Sequence, residues 1–429
     1  MRGERRVVIT GLGVVSPLGN DLTTLTESLK SGRSAGRLIQ SFDTEGFPVR
    51  IAAEVLDFDA RKMVRNRKAI KMMARDVQFG AAAAGMAVED SGFEDAKVDP
   101  TRLGTSFGAG YIDSDPDELA PVVVAGKTDD GFDMTRFGQT LMSGLFPLWM
   151  LKYLPNMPAC HISITHDAQG PSNSHTSGDS VGLAALGEAA RIIERGAADV
   201  MICGGCECQI NPVSMVTLHL LNRASRRNDD PAGASRPFER SRDGILVGEA
   251  AASLILEELE HARRRGAKIY GEVLGYGSGC DAWRVDQVHP EGRGCRVAMR
   301  AALRDAGLSP REIGYVAASG VSGVVEDRAE TIAIKQVFAS AAKSVPVSAV
   351  KSMTGHPGAA GGALDVLCAL LAMKEGFIPP TINFEEPDPE CDLDYVPNQP
   401  RPARAGTVLV NGFGLGGQAS SLVVGTWRE

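Results

Sequence analysis

The strongest constraint on this chain is that its apolar runs do not alternate. VVITGLGVV at 7–15, ADVMICGG at 198–205 and AAASLILEEL at 250–259 are continuously apolar or small for most of their length. A strand with one wet face would switch between polar and apolar at every residue, so these segments are expected to be buried on both faces. Between them lie longer stretches of helical period, such as IKMMARDVQFGAAAAGMAVEDSG at 70–92. Strands covered on both sides by helices make a layered α/β architecture with a parallel or mixed sheet.

After Leu256 the chain becomes charged, EELEHARRRGAK at 257–268, and then restarts with the strand-like YGEVLGYGSG, much as it began. The boundary is placed there, giving halves 1–256 and 257–429. The second half again reads helix (295–308), strand (313–319), helix (327–339), strand (345–350), helix (361–376) and two closing strands, TVLVNGFG and SSLVVG. Element order alone suggests that the halves are similar, since no direct repeat is visible.

Composition excludes several function classes. A net charge of −8 over 429 residues disfavours nucleic acid as a partner, which needs basic residues gathered on one face. No apolar run approaches a membrane span, and the stretch after Arg5-Arg6 is broken by glycines and Ser16-Pro17. Eight cysteines without paired spacing point to reduced thiols in a cytoplasmic protein. Cys203-Gly-Gly-Cys206 with Cys208 lacks a second ligand pair for zinc and reads as a buried strand ending in a glycine turn. His161, His166 and His175 read as strand-face residues, and neither metal nor cofactor is expected. NGFGLGG at 411–417 follows a strand but precedes no convincing helix, which argues against a phosphate loop.

Five segments in order, VVITGLGVVSPLG at 7–19, GAADVMICGGCE at 196–207, ASRPFERSRDGILVGE at 234–249, VKSMTGH at 350–356 and NGFGLGG, together resemble the beta-ketoacyl synthase (condensing enzyme) family over essentially the whole chain. The resemblance implies the thiolase-like fold, two duplicated α/β halves in a five-layered α-β-α-β-α arrangement, working as a dimer.

In active members of that family, a motif opening Gly-Pro ends nine residues later in a nucleophilic cysteine. Here Gly170-Pro171 leads to Asp179. The resemblance places one family histidine after Asp281-Ala282-Trp283, where Arg284 stands, and a second where Ser319 stands. Asp327, Glu330, Lys351, His356 and Phe413 match the supporting shell. By this correspondence the scaffold is kept while the condensing cysteine and both histidines are replaced.

The substitutions have chemical consequences. Acyl transfer from a thioester to a carboxylate makes a mixed anhydride, an uphill step where thiol exchange is nearly level. Each oxyanion donor lost from such a site typically costs about 10² to 10³ in rate. The simplest expectations are that Asp179 caps the following helix or pairs with Arg284 as a plug, with Ser319 filling the remainder. Lys351 and Glu330 are expected to form a buried structural ion pair.

Within the family the pattern looks most like the chain-length factor, a non-condensing subunit that pairs with a cysteine-bearing ketosynthase and shapes the tunnel for polyketide or fatty acyl chains held on acyl carrier protein. Asp rather than the usual Gln at position 179 departs from that type. Two alternatives stand beside this reading. One is a repurposed enzyme using the Asp179 and Arg284 pocket for decarboxylation, hydrolysis or acyl transfer; the other is a homodimeric binding or scaffold protein. Phe107 and Tyr111 are candidate tunnel gates, against simple core packing. Arg65, Arg67, Lys68, Lys71 and Arg75 form a candidate patch for the acidic carrier protein, against a solvated helix face.

Overall fold

The computed structural model describes residues 5–96 and 98–427. Ten strands carry the architecture: β1 Val7–Val15, β2 Leu103–Ala109, β3 Ser172–His175, β4 Val200–Cys208, β5 Glu249–Glu258, β6 Gly271–Cys280, β7 Tyr315–Ala317, β8 Val347–Ser348, β9 Thr407–Phe413 and β10 Gln418–Gly425. They hydrogen-bond in the order β8-β7-β9-β10-β6-β1-β5-β4-β2-β3. That order is one five-stranded layout used twice. In each set the first strand pairs antiparallel with the fifth, the fifth antiparallel with the fourth, the fourth parallel with the second and the second parallel with the third. The sets meet at a short seam, where Val8 and Ile9 of β1 face Glu272 and Gly271 of β6.

Seven helices matter to the argument: α1 Arg75–Ser91, α2 Met157–His166, α3 Val181–Glu194, α4 Pro212–Leu220, α5 Arg293–Ala306, α6 Val324–Phe338 and α7 Gly361–Glu375. α3 and α7 pack against each other and against both strand sets, forming the middle layer. Every residue of α7 from Gly361 to Met373 is buried, as expected of a helix that is apolar all round and enclosed by sheets. The outer layers repeat one packing device. A Cβ on Gly11 or Gly13 of β1 would lie 2.3 or 2.0 Å from carbonyl oxygens of α1, and one on Gly275 or Gly277 of β6 would lie 2.5 or 2.3 Å from those of α5. Glycine strands let an alanine-rich helix lie directly on the sheet in both halves, which is the thiolase-like five-layered fold.

Local readings needed correction. The glycines of the 203–206 segment lie inside β4, which continues to Cys208, so they do not end the strand. His161 and His166 belong to helix α2; His175 alone of the three is in a strand. Among the described residues no group of three or more His, Cys, Asp or Glu could hold a metal, and no helix is long and apolar enough to cross a membrane.

Candidate active site

Asp179 sits in the single helical turn Gly178–Ser180 that leads into α3. Gly178, at φ +63°, makes the bend that few side-chain-bearing residues adopt readily. The expected capping role is not what the carboxylate does: Ser177 and Ser180 occupy the cap positions, and Asp179 turns toward an imidazole and a guanidinium. Its Oδ1 lies 3.4 Å from Nε2 of His356 and its Oδ2 lies 3.4 Å from Nη2 of Arg223.

Both partners are held by main chain. His356 follows Gly355, at φ +69°; its N–H donates to the Leu246 carbonyl at 2.8 Å and its carbonyl accepts from Gly248 at 3.0 Å. Arg223 follows α4, its N–H donating to Leu218 and its carbonyl accepting from Ile245. The guanidinium also lies 3.9 Å from Oε1 of Glu326 in the first turn of α6. Burial alone would raise the Asp179 carboxyl, but His356 and then Arg223 outweigh it and hold the group far below the ordinary carboxylate range. Gly414 closes the roof, since a Cβ there would stand 1.8 Å from Asp179 Oδ2.

The expected partner, Arg284, is elsewhere. It is exposed and forms a two-pronged pair with Asp286 at 2.9 and 3.0 Å. Asp281, by contrast, is buried and accepts the N–H groups of His289 at 2.7 Å and Gly294 at 2.6 Å. It anchors the start of α5, and Ala282 at φ +47° then turns the chain outward. The plug is therefore Asp179 with His356 and Arg223. His356, assigned to the supporting shell by resemblance, stands at the centre, so an imidazole does face this position.

Ser319 is buried; its N–H donates to Glu330 Oε1 at 2.9 Å and its hydroxyl reaches the Phe413 carbonyl at 3.4 Å. Glu330 also accepts from Gly320 at 2.9 Å and Asn411 at 3.1 Å. Asp327 accepts from Val321 at 3.0 Å and Phe238 at 2.8 Å. Burial pushes Asp327 up to about 7 and raises Glu330 as well. These two carboxyls fasten the loop that carries Ser319. Lys351 does not pair with Glu330 as expected; its ammonium bonds to the buried carboxylate of Asp365 on α7.

Motif reading missed Arg223, Asp365 and Glu207. Glu207, near the end of β4, is buried; it accepts the Ala359 N–H and a 2.6 Å bond from Gln209. Burial, assisted by the Asp179 charge, pushes it up to about 8. A lone acid inside an apolar strand or helix was the available signal for Glu207 and Asp365. Arg223 had none, because its partner is distant in sequence.

Phe107 is buried in β2 against α1, whereas Tyr111 is 81% exposed. In the basic stretch, Arg65 pairs with Glu94, and Arg75 is bound by Glu249 at 2.9 and 2.7 Å. Arg67, Lys68 and Lys71 are exposed on the turn Arg67–Met72.

The chain matches the family descriptions "Beta-ketoacyl synthase, N-terminal domain" over residues 4–262 and "Beta-ketoacyl synthase, C-terminal domain" over residues 270–385. It is 40% identical to 3-oxoacyl-[acyl-carrier-protein] synthase 2 of Coxiella burnetii, covering 98% of each chain. The solved ishigamide ketosynthase/chain length factor superposes with a TM-score of 0.87 at 32% identity, over 100% of both chains. A type II PKS acyl-carrier protein in complex with its ketosynthase bound to the hexaketide gives 0.84 at 29% identity, over 99% of this chain and 100% of that one. With its duplicated five-layered fold and matches spanning both halves, this chain belongs to the beta-ketoacyl synthase family.

Proposed function

We propose that the chain is a non-condensing ketosynthase homologue, a subunit of chain-length-factor type that pairs with a cysteine-bearing ketosynthase and shapes the space for acyl chains on acyl carrier protein. The observation that carries this is the state of Asp179. The position that resemblance gives to the nucleophile holds a carboxylate kept ionised between His356 and Arg223 under the roof of Gly414, a poor acyl acceptor in a filled pocket.

Two further features support pairing. Tyr111, Met134, Met142, Met150, Ile164 and Leu220 are large apolar side chains at least 65% exposed, more than a lone soluble surface usually gathers in one region of chain. A relative is named for a carrier-protein substrate and one solved neighbour is a carrier-protein complex, so the exposed Arg67, Lys68 and Lys71 fit a carrier contact in this chain too. In this reading the halves divide at 256/257 and share the site, with Asp179 and Arg223 from the first and His356 from the second.

The test is co-expression with the nearest cysteine-bearing ketosynthase, purification through a tag on this chain, and assay of malonyl condensation on carrier protein. A one-to-one complex whose product length depends on this subunit supports the proposal. A homodimer that changes nothing in the assay rejects it and favours a homodimeric binding role. One observation favours a repurposed enzyme instead: Glu207, proton-bearing up to about 8, lies near the ionised Asp179, and such an acid beside a base can divide proton-transfer roles. Carbon dioxide release from malonyl-carrier protein by the isolated chain, abolished in Glu207→Gln, would establish that reading.

A further inference from the structure

A cavity of mixed polar and apolar lining lies apart from Asp179. It has a volume of about 500 Å³ and opens between the start of α1, the segment 112–117 and the loop before α4. Asp76, the second residue of α1, forms one wall and is 5% exposed. Its Oδ1 accepts the Val77 N–H at 2.8 Å, and among the described residues no side chain donates to the carboxyl. Asp113 forms the facing wall, oriented by the Ser214 hydroxyl and by Asn211 at 3.1 Å.

The two cations on the rim are already matched. Arg75 is bound by Glu249, and Lys152 by Glu118. Neither neutralises Asp76, which burial and then the charges of Asp113 and Glu249 push up to about 7. The buried Asp76, facing the half-buried Asp113 and given no basic side-chain partner among the described residues, lacks a positive charge. The lining also includes the aromatic rings of Phe42 and Tyr153 and the apolar Met73, Ile112 and Ile210. Rings attract a desolvated cation, and apolar walls accept a short alkyl body. Among the described residues no group of three or more His, Cys, Asp or Glu is arranged to hold a metal ion.

We propose that this cavity binds a small organic cation, a primary alkylammonium, with Asp76 and Asp113 receiving the ammonium and Phe42 and Tyr153 flanking it. Binding converts Asp76 to the carboxylate and releases its proton to solvent. Asp113, Glu249, Glu207, Cys206 and Cys208 interact electrostatically with it, and Arg75, Asp115, Asp117 and Lys152 also line the cavity.

Calorimetric titration of the full chain with n-butylammonium chloride, and separately with n-butanol, tests this at pH 6.5 in two buffers of different ionisation enthalpy. The expected result is millimolar binding of the ammonium, as befits so small a ligand, with the alcohol at least tenfold weaker and proton release visible as a buffer-dependent heat. Asp76→Asn keeps the side-chain shape and should lower ammonium affinity at least tenfold, with an unchanged melting temperature. Asp113→Asn should lower it several-fold. Equal binding of the alcohol, or full affinity in both variants, overturns the proposal. The isolated chain suffices for the titration, so the outcome is independent of the pairing proposal.

Discussion

The two outer edges of the sheet are built from the same layout and finished differently. At the second-half edge, β8 is fully buried, because the chain itself crosses it: Val347 donates to the Asp394 carbonyl at 2.7 Å. At the first-half edge, β3 exposes Ser172, Asn173 and Ser174, and the neighbouring segment 111–164 presents exposed tyrosine, methionine and isoleucine. An open strand edge beside exposed apolar surface is a liability unless another chain covers it. Duplication gave both halves one core, while only the second completes its own border.

The largest expected effect compares those edges directly. Val347→Lys buries an ammonium at the covered edge and should destabilise the chain by more than about 4 kcal/mol, read by chemical denaturation. Ser174→Lys should leave the isolated chain within about 0.5 kcal/mol of the parent yet lower association at least tenfold, read by analytical ultracentrifugation. Equal destabilisation at both edges would break the comparison.

Next comes the interior of the second half. Lys351→Met leaves Asp365 buried without its cation, and a pair broken this way costs about 3–5 kcal/mol. The Asp365→Leu, Lys351→Met double variant should recover most of that loss.

The first half's interior depends on pH in a defined direction. Asp179 is depressed in the folded chain, so its pairing contributes stability above the unfolded carboxyl value of about 4, and that contribution fades as pH falls below it toward the folded value. Asp179→Asn should therefore cost about 1–3 kcal/mol at pH 7, and its melting temperature should converge on the parent's in strong acid. Arg284→Ala, removed from the site, should leave the melting temperature unchanged, whereas Arg223→Ala should lower it.

The smallest effect has the opposite sign. Glu207 is raised to about 8, so the parent loses stability as pH climbs from the unfolded carboxyl value toward 8. Glu207→Gln should match the parent near pH 4.5 and melt progressively higher than it as pH approaches 8, which differential scanning calorimetry would resolve.

Sequence carried the layers well because a strand such as VVITGLGVV, apolar on both faces, has few other places to be. Asp179 was also legible, through counting along a local motif. What it touches was not, since Arg223 lies 44 residues away and His356 comes from the other half of the chain. The pairing of Arg284 failed for a physical reason: Asp286, two residues on, captures the guanidinium where the chain has turned outward, and a local partner costs less loop entropy than a distant one. Likewise Lys351 found Asp365 on the central helix, whose single buried acid sits in an otherwise apolar core.

The seam strand also matters for how the protein comes off the ribosome. β1 is nine buried residues at the centre of the finished sheet, yet its strand partners are 251–258 and 271–272. At ordinary translation rates of about 5–20 residues per second, it waits roughly 10 to 50 s for its neighbours. Through that interval this apolar segment can pack against α1 but has no native strand partner. Folding yield in cells should therefore depend on translation speed and on holdase chaperones more than on the stability of the completed protein.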